Sequence, residues 1–356
     1  MKTFRICNKQ MEFAKTKRSS VIRKFLLSEV RANAPNLIQD TVEGFKISRQ
    51  SVHNHLSQLV KAGFLIPEGN TRSRKYKLGP NRLHSALFKL DGLQESDVYY
   101  REFGHIFRDL DKELENICHY GFTEILNNAI DHSSGAQVFV SVKRTEEEIC
   151  IIIEDDGIGI FHHIAKVMNL SDPREAILEL SKGKLTTDPQ RHTGQGIFFT
   201  SRAFDSFMIV SRDLHFSHEG INEPDILFHE DEDREGTFVM MSISMNSIRK
   251  LKDIFDEYCG GEDNDDCSFV KTLVPLRLAL FEGGNLISRS QAKRILNRVE
   301  KFKYVILDFT DIEFVGQAFL DEIFRVFANN HPEISLMPCN TTHIIDNMIK
   351  TARINT

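Results

Sequence analysis

Residues 124–132 read Glu-Ile-Leu-Asn-Asn-Ala-Ile-Asp-His, inside a stretch from 101 to 134 whose apolar residues recur at helical spacing. Glu124 and Asn128 stand four positions apart, so a helix places them on one face, one turn above the other. That face presents a carboxylate and an amide oxygen to one point. A magnesium ion holding phosphates takes such hard oxygen donors and keeps several waters. An adjacent carboxylate can then orient or deprotonate an attacking nucleophile. The same pair also occurs on ordinary solvated helices, so its neighbours along the chain must decide.

Three further signals follow in order. Two strand-like runs, 136–142 (AQVFVSV) and 149–154 (ICIIIE), lead into Asp155-Asp156-Gly157-Ile158-Gly159. A carboxylate at the end of a strand can accept a hydrogen bond from an exocyclic amine such as that of adenine. The glycines let the backbone bend and approach a flat base. An ordinary Asp-Gly turn is the competing reading. Thr193-Gly194-Gln195-Gly196-Ile197 then runs from a loop into a helix, where backbone N–H groups suit a polyphosphate. Gly236-Thr237 opens the strand FVMMSIS. Two other nucleotide-binding frameworks are excluded. The P-loop string is missing, and Phe199 stands where a dinucleotide turn would need its third glycine.

The four signals, at 124, 155, 194 and 236, resemble those of the GHKL ATPases over roughly residues 100–245. That family includes histidine-kinase catalytic domains, gyrase B, mismatch-repair ATPases and anti-sigma-factor serine kinases, and EILNNAIDHS looks closest to the last branch. The resemblance implies a fold in which helices cover one face of a mixed sheet, and ATP and Mg2+ as cofactors. It makes Glu124 the general base, Asn128 the magnesium ligand and Asp155 the adenine contact. Gly157 and Gly159 become the turn beneath the base, with Ile160 after them, and Thr237 lies near the adenine. Thr193, Gly194, Gln195, Gly196 and Ile197 belong to a phosphate lid between about 171 and 196. His132, with Arg191 and His192 in the lid, faces the phosphates, and Asp131 beside it counts among the nucleotide-binding residues. A histidine autokinase is not expected, because His105 and His119 are followed by Ile and Tyr rather than an acid. The adjacent His162 and His163 lack a third metal ligand nearby.

Charge separates the head of the chain from its body. Residues 1–80 hold 16 Lys and Arg against 5 Asp and Glu, a net +11, within a chain of net −6. This suggests a nucleic-acid-binding module or a solvated basic face. The pattern favours the first. Helical spacing covers 19–31 and 36–43. Ser48 then looks like the N-cap of a third helix that ends at Gly63, and a Gly-Asn turn joins two short extended runs. This succession resembles a winged helix-turn-helix. Arg49, Gln50, His53, Asn54 and Ser57 form the outer face of its third helix, suited to a major groove of double-stranded DNA. Arg72, Arg74, Lys75 and Lys77 form a cationic wing for phosphates. Winged-helix proteins often read paired half-sites, so a homodimer is possible by analogy.

The chain has 356 residues, 41% hydrophobic and 27% charged, enough for two or three cores. No apolar run approaches a membrane span, and the first residues lack the apolar segment of a secretory signal. Six sparse cysteines without a C-x-x-C pair point to reduced thiols in the cytoplasm. Residues 80–100 read as a polar connector, 160–192 as a helix and then a loop, and 259–266 as a linker. Residues 303–329 read as strand, turn and amphipathic helix and resemble a STAS domain, a possible protein-docking module. Its turn, Val315-Gly316-Gln317-Ala318-Phe319, lacks the hydroxyl that a partner kinase would phosphorylate, and Thr310 is an imperfect substitute. The expectation is a multidomain α+β chain with three domains. They are a winged helix (1–80), a GHKL α/β sandwich (95–250) and a small STAS-like α/β domain (265–356). Its function would be an ATP-switched DNA-binding regulator or, alternatively, an anti-sigma-type serine/threonine kinase.

Overall fold

In a computed structural model, residues 18–69, 74–185, 194–219, 226–229, 235–259, 269–280 and 284–354 are described. The chain divides into two compact units, residues 1–86 with 141–150, and residues 87–140 with 151–356. The architecture is multidomain α+β, with antiparallel and parallel strand pairs.

The first unit begins with three helices, α1 (Arg18–Arg31), α2 (Leu37–Phe45) and α3 (Arg49–Lys61). Ser48 accepts a hydrogen bond from the Ser51 amide at 3.2 Å and starts α3. The antiparallel pair β1 (Leu65–Glu68) and β2 (Lys75–Leu78) follows. Ile22, Leu26, Val52, Leu56 and Leu59 are buried in one core, against which Tyr76 and Leu78 of β2 pack. The helical period of these apolar residues is what made the helices legible.

The next strand corrects the sequence reading. Residues 82–89, expected in a connector, form β3 (Arg82–Lys89), at the edge of a seven-stranded sheet. Most of its residues are half-buried, so it lacks the apolar run that marks a central strand.

The sheet runs β3–β4–β5–β9–β6–β7–β8, with β4 (Gln137–Arg144), β5 (Glu148–Asp155), β6 (Ser206–Ser211), β7 (Leu214–Glu219), β8 (Ile226–His229) and β9 (Thr237–Ser244). Within the second unit, β9 pairs antiparallel with β6, Val239 facing Ile209. The long helix α4 (Lys112–His132) starts at Asp111, which accepts from the Glu113 amide. It buries Leu114, Ile117, Phe122, Ile125, Leu126 and Ala129, an apolar stripe at helical spacing. After β5 comes α5 (Ile160–Val167).

Residues 173–182 form α6 (Pro173–Lys182), so the lid expected from about 171 has no loop before Gly183. Asp172 caps this helix and Pro173 opens it. Its charged Glu175, Glu179 and Lys182 are buried, which disguised it as a surface segment. Helix α7 (Gly196–Ala203) and helix α8 (Leu251–Tyr258) follow. The expected linker at 259–266 lies, apart from Cys259, outside the described residues.

The C-terminal part carries the parallel strands β10 (Lys271–Pro275), β11 (Tyr304–Asp308) and β12 (Ser335–Cys339). Helix α9 (Arg289–Leu296) starts in a reciprocal cap between Ser288 and Gln291. A helical run begins with α10 (Gln317–Asp321), and α11 (His343–Ile354) closes the chain. Val305, Leu307, Phe319, Ile323, Ile345 and Ile349 form its core.

Candidate active site

A cavity of about 340 Å³ lies along α4. Its lining includes Glu124, Asn128 and His132 from α4, Asp155 from the end of β5, and Thr237 from the start of β9. Ser133 abuts the Asp155 turn, since a Cβ on Gly157 would meet the Ser133 carbonyl at 2.1 Å. Glu124 lies nine residues earlier, about 13 Å up the helix. The cavity therefore has a strand-end side at Asp155 and a helix side at Glu124.

At the strand end, Asp155 is 7% exposed. Its Oδ1 accepts from the Gly157 amide at 2.9 Å and the Thr237 amide at 3.2 Å. Burial outweighs these bonds and pushes its carboxyl up to about 6. The Ile160 amide donates to Thr237 Oγ1 at 3.1 Å, which ties the start of α5 to β9. Gly159 has φ +84°, and a Cβ there would strike Ser211 Oγ, so the turn needs glycine. Asp156 has a different role. Its Oδ1 accepts from the Ala136 and Gln137 amides at 2.7 and 2.9 Å and joins the turn to β4.

At the other side, α7 begins against Glu124. A Cβ on Gly196 would lie 2.0 Å from Glu124 Oε2, so only glycine lets the helix start approach the carboxylate this closely. Asn128 Nδ2 is buried with no hydrogen-bond partner among the described residues. An amide left unpaired in a cavity costs free energy unless a ligand engages it. Tyr120 lies one turn before Glu124, and burial together with the Glu124 charge raises its phenol.

Of the residues expected at this site, Glu124, Asn128, His132, Asp155, Gly159, Ile160, Gly194, Gly196, Ile197 and Thr237 line the cavity. Gly157 shapes the turn and Gln195 flanks α7, but neither is in the lining. Asp131 is exposed and is not in the lining. It projects roughly a quarter-turn away from the stripe through Asn128 and His132. Thr193, with Arg191 and His192, lies outside the described residues.

Ile153, His163, Ile164, Leu180 and Leu185 also line the cavity and were missed. Ile160, His163 and Ile164 sit at i, i+3 and i+4, a periodicity that could have found them. The His163 ring lies 6.5 Å from that of His132, and burial lowers its pKa, with Lys166 adding to the effect.

Residues 115–247 match the family described as histidine kinase-, DNA gyrase B-, and HSP90-like ATPase. They form a GHKL-type ATPase or kinase domain. Such a domain binds ATP, and the cavity lies within it. Residues 291–346 match a STAS-like domain of unknown function. No curated protein matches the chain. Among the described residues no helix is long and apolar enough to cross a membrane.

The other expected face lies in the first unit. Arg49, Gln50, His53, Asn54 and Ser57 are exposed on α3, and Arg74, Lys75 and Lys77 are exposed at β2. Arg49 donates to Gln39 Oε1 at 3.1 Å, and Gln50 to Asn54 Oδ1 at 3.4 Å. Lys77 pairs with Glu68 across the hairpin. A cavity of about 580 Å³ is lined in part by Arg49, His53, Arg74, Lys75 and Tyr76. Arg72 lies outside the described residues.

Proposed function

We propose that the chain is an ATP-responsive DNA-binding regulator, in which Mg-ATP occupancy and slow hydrolysis set the state of a winged-helix head. One observation carries the nucleotide part: a single cavity joins Asp155 and Thr237 with Glu124 and Asn128. Asp155 accepts the adenine amine, with Thr237 beside it, and Gly157 and Gly159 bring the backbone under the base. His132 and the amides at the start of α7 face the phosphates.

The donors fit magnesium. Asn128 offers an amide oxygen and Glu124 a carboxylate, both in the lining of the cavity. Among the described residues no three His, Cys, Asp or Glu side chains gather at a metal position. Asn128 would therefore hold the ion together with phosphate oxygens, as hard, water-retaining cations are usually held. Bound there, magnesium neutralises phosphate charge. Glu124 orients the attacking water and takes its proton.

The head contributes the DNA part. The exposed polar face of α3 is suited to base edges, and Arg74 and Lys75 to phosphates. A homodimer would match paired half-sites, the C-terminal domain offers a surface for a protein partner, and the cytoplasm suits reduced cysteines. For ATP to act as a switch it must favour one arrangement, and a tenfold shift takes about 1.4 kcal/mol. The STAS-like domain in the same chain supports a second reading, transfer of phosphate to a protein Ser or Thr.

Calorimetry with ATP tests binding, and γ-labelled ATP separates the two readings. Free phosphate alone supports the ATPase; label retained on protein supports the kinase. Glu124→Gln should lower turnover by about 10²–10⁴-fold with binding retained. Asn128→Ala should remove the magnesium dependence of ATP binding. ATP affinity unchanged by magnesium chelation in the unsubstituted protein would refute the metal assignment.

A further inference from the structure

The cavity wall formed by Leu180 and Leu185 is not held by the ATPase domain alone. Lys182 is 1% exposed, and its ammonium donates to Glu179 Oε1 at 2.7 Å and to the Asn297 carbonyl at 2.8 Å. Glu179, 2% exposed, also accepts from Arg298 Nη1 at 3.1 Å. The second arm of the Arg298 guanidinium donates to the Lys184 carbonyl. Thr272 Oγ1 donates to the Lys182 carbonyl at 2.7 Å, and Lys184 Nζ to the Lys301 carbonyl at 2.7 Å. Every residue from 179 to 184 that carries a polar side chain is thus tied to the C-terminal part, except Ser181, whose hydroxyl donates within α6. Arg298 makes its bonds from a backbone with φ +63°, a conformation that non-glycine residues adopt at a cost.

This strut leads straight to the phosphate side of the cavity. Leu185 donates its amide to the Gly194 carbonyl at 3.0 Å, and Gly196 follows two residues later against Glu124. Phe269, just before β10, reinforces the link. Its ring packs 4.7 Å from Phe198 and 5.0 Å from Phe199 in α7, and a Cβ on Gly183 would lie 2.6 Å from it.

We propose that the STAS-like domain is a working part of the ATP site, with Arg298 as a positioning residue that holds residues 182–185 and, through Gly194, the start of α7 in place for the phosphates. This rests on the ATP reading above. A half-buried fork of this kind is geometrically specific: a planar guanidinium meets a carboxylate and a carbonyl together, which an ammonium cannot do in the same way. Asp155 and Thr237, which bond each other and the Gly157 turn at the strand-end side of the cavity, lie outside this chain of contacts. The device therefore acts on the phosphates and leaves adenine recognition alone.

The test measures dissociation constants for Mg-ATP and for adenosine with the full-length protein. Arg298→Ala should weaken Mg-ATP by about tenfold and leave adenosine within about twofold. Arg298→Lys keeps a cation beside Glu179, so the domain stays docked, but it loses the fork and should weaken Mg-ATP by an intermediate amount. Thermal melting of both variants reports whether the domain remains folded. Equal weakening of ATP and adenosine in Arg298→Lys, or no change in either, overturns the proposal. Absence of ATP binding by the unsubstituted protein overturns the site reading itself.

Discussion

Two strands of this chain end in an aspartate that bonds the backbone just beyond it. Asp155 closes β5 and accepts from the amide two residues on, that of Gly157, at 2.9 Å. Asp308 closes β11 and accepts from the amide two residues on, that of Thr310, at 3.0 Å. The aspartate-to-amide bond is the same, and the surroundings differ. Asp308 Oδ1 also receives the Thr310 hydroxyl at 2.7 Å and the Asn340 amide at 2.9 Å, so its own loops supply its donors. Cys339 stands beside it, and burial together with the Asp308 charge pushes that thiol up to about 11. Asp155 instead receives the amide of Thr237 and borders a cavity. A strand-end carboxylate is thus enclosed where side chains close over it and left beside open space where they do not.

Substitution should break the pair apart. Asp155→Ala should weaken ATP by roughly 10²-fold, the scale of losing a buried charge-assisted hydrogen bond. In Asp308→Ala the ATP affinity should stay within about twofold. An equal effect of the two on ATP affinity, read by calorimetry, would erase the distinction.

Proton linkage gives the next largest effect. The Asp155 carboxyl is raised from 3.8 to about 6. Between those values the folded protein holds a proton that the unfolded chain has released. Its contribution to stability is thus greatest in acid and falls as pH rises to about 6, by about 3 kcal/mol. Adenosine binding should run the opposite way and tighten as pH climbs through 6, with a proton released, because the anion is the acceptor. Asp155→Asn should abolish this dependence, and Asp308→Asn should keep it. Titrations in two buffers of different ionisation enthalpy read the proton directly.

Asp308→Asn should lower the melting free energy by about 1–2 kcal/mol, the cost of weakening a network of bonds to one carboxylate. The smallest effect belongs to the exposed head, where charges are solvated rather than enclosed. Arg74→Ala should reduce the salt slope of DNA binding by about one unit, and Lys77→Ala by less, since Glu68 already pairs with it. An unchanged slope in both removes the hairpin from the phosphate contacts.

Much of the cavity's lining was legible because its groups sit at fixed spacings on regular elements. Glu124 and Asn128 share a helix face, and Asp155 follows an apolar strand. Helix α6 was hidden because Glu179 and Lys182 look like surface charges until their partners, Asn297 and Arg298, arrive from more than a hundred residues away. Short-range pattern carries no trace of such pairing. β3 escaped for a related reason: an edge strand with both faces partly wet has no apolar signature.

The position of Phe269 bears on how this protein is to be compared with others. Ancestry, as judged by likeness, ends the ATPase at residue 247, while the aromatic cluster behind Gly196 is completed by a ring 22 residues beyond that limit. A fragment ending at residue 247 would bare Phe198 and Phe199 to water and leave the Lys182 ammonium with Glu179 but without the Asn297 carbonyl.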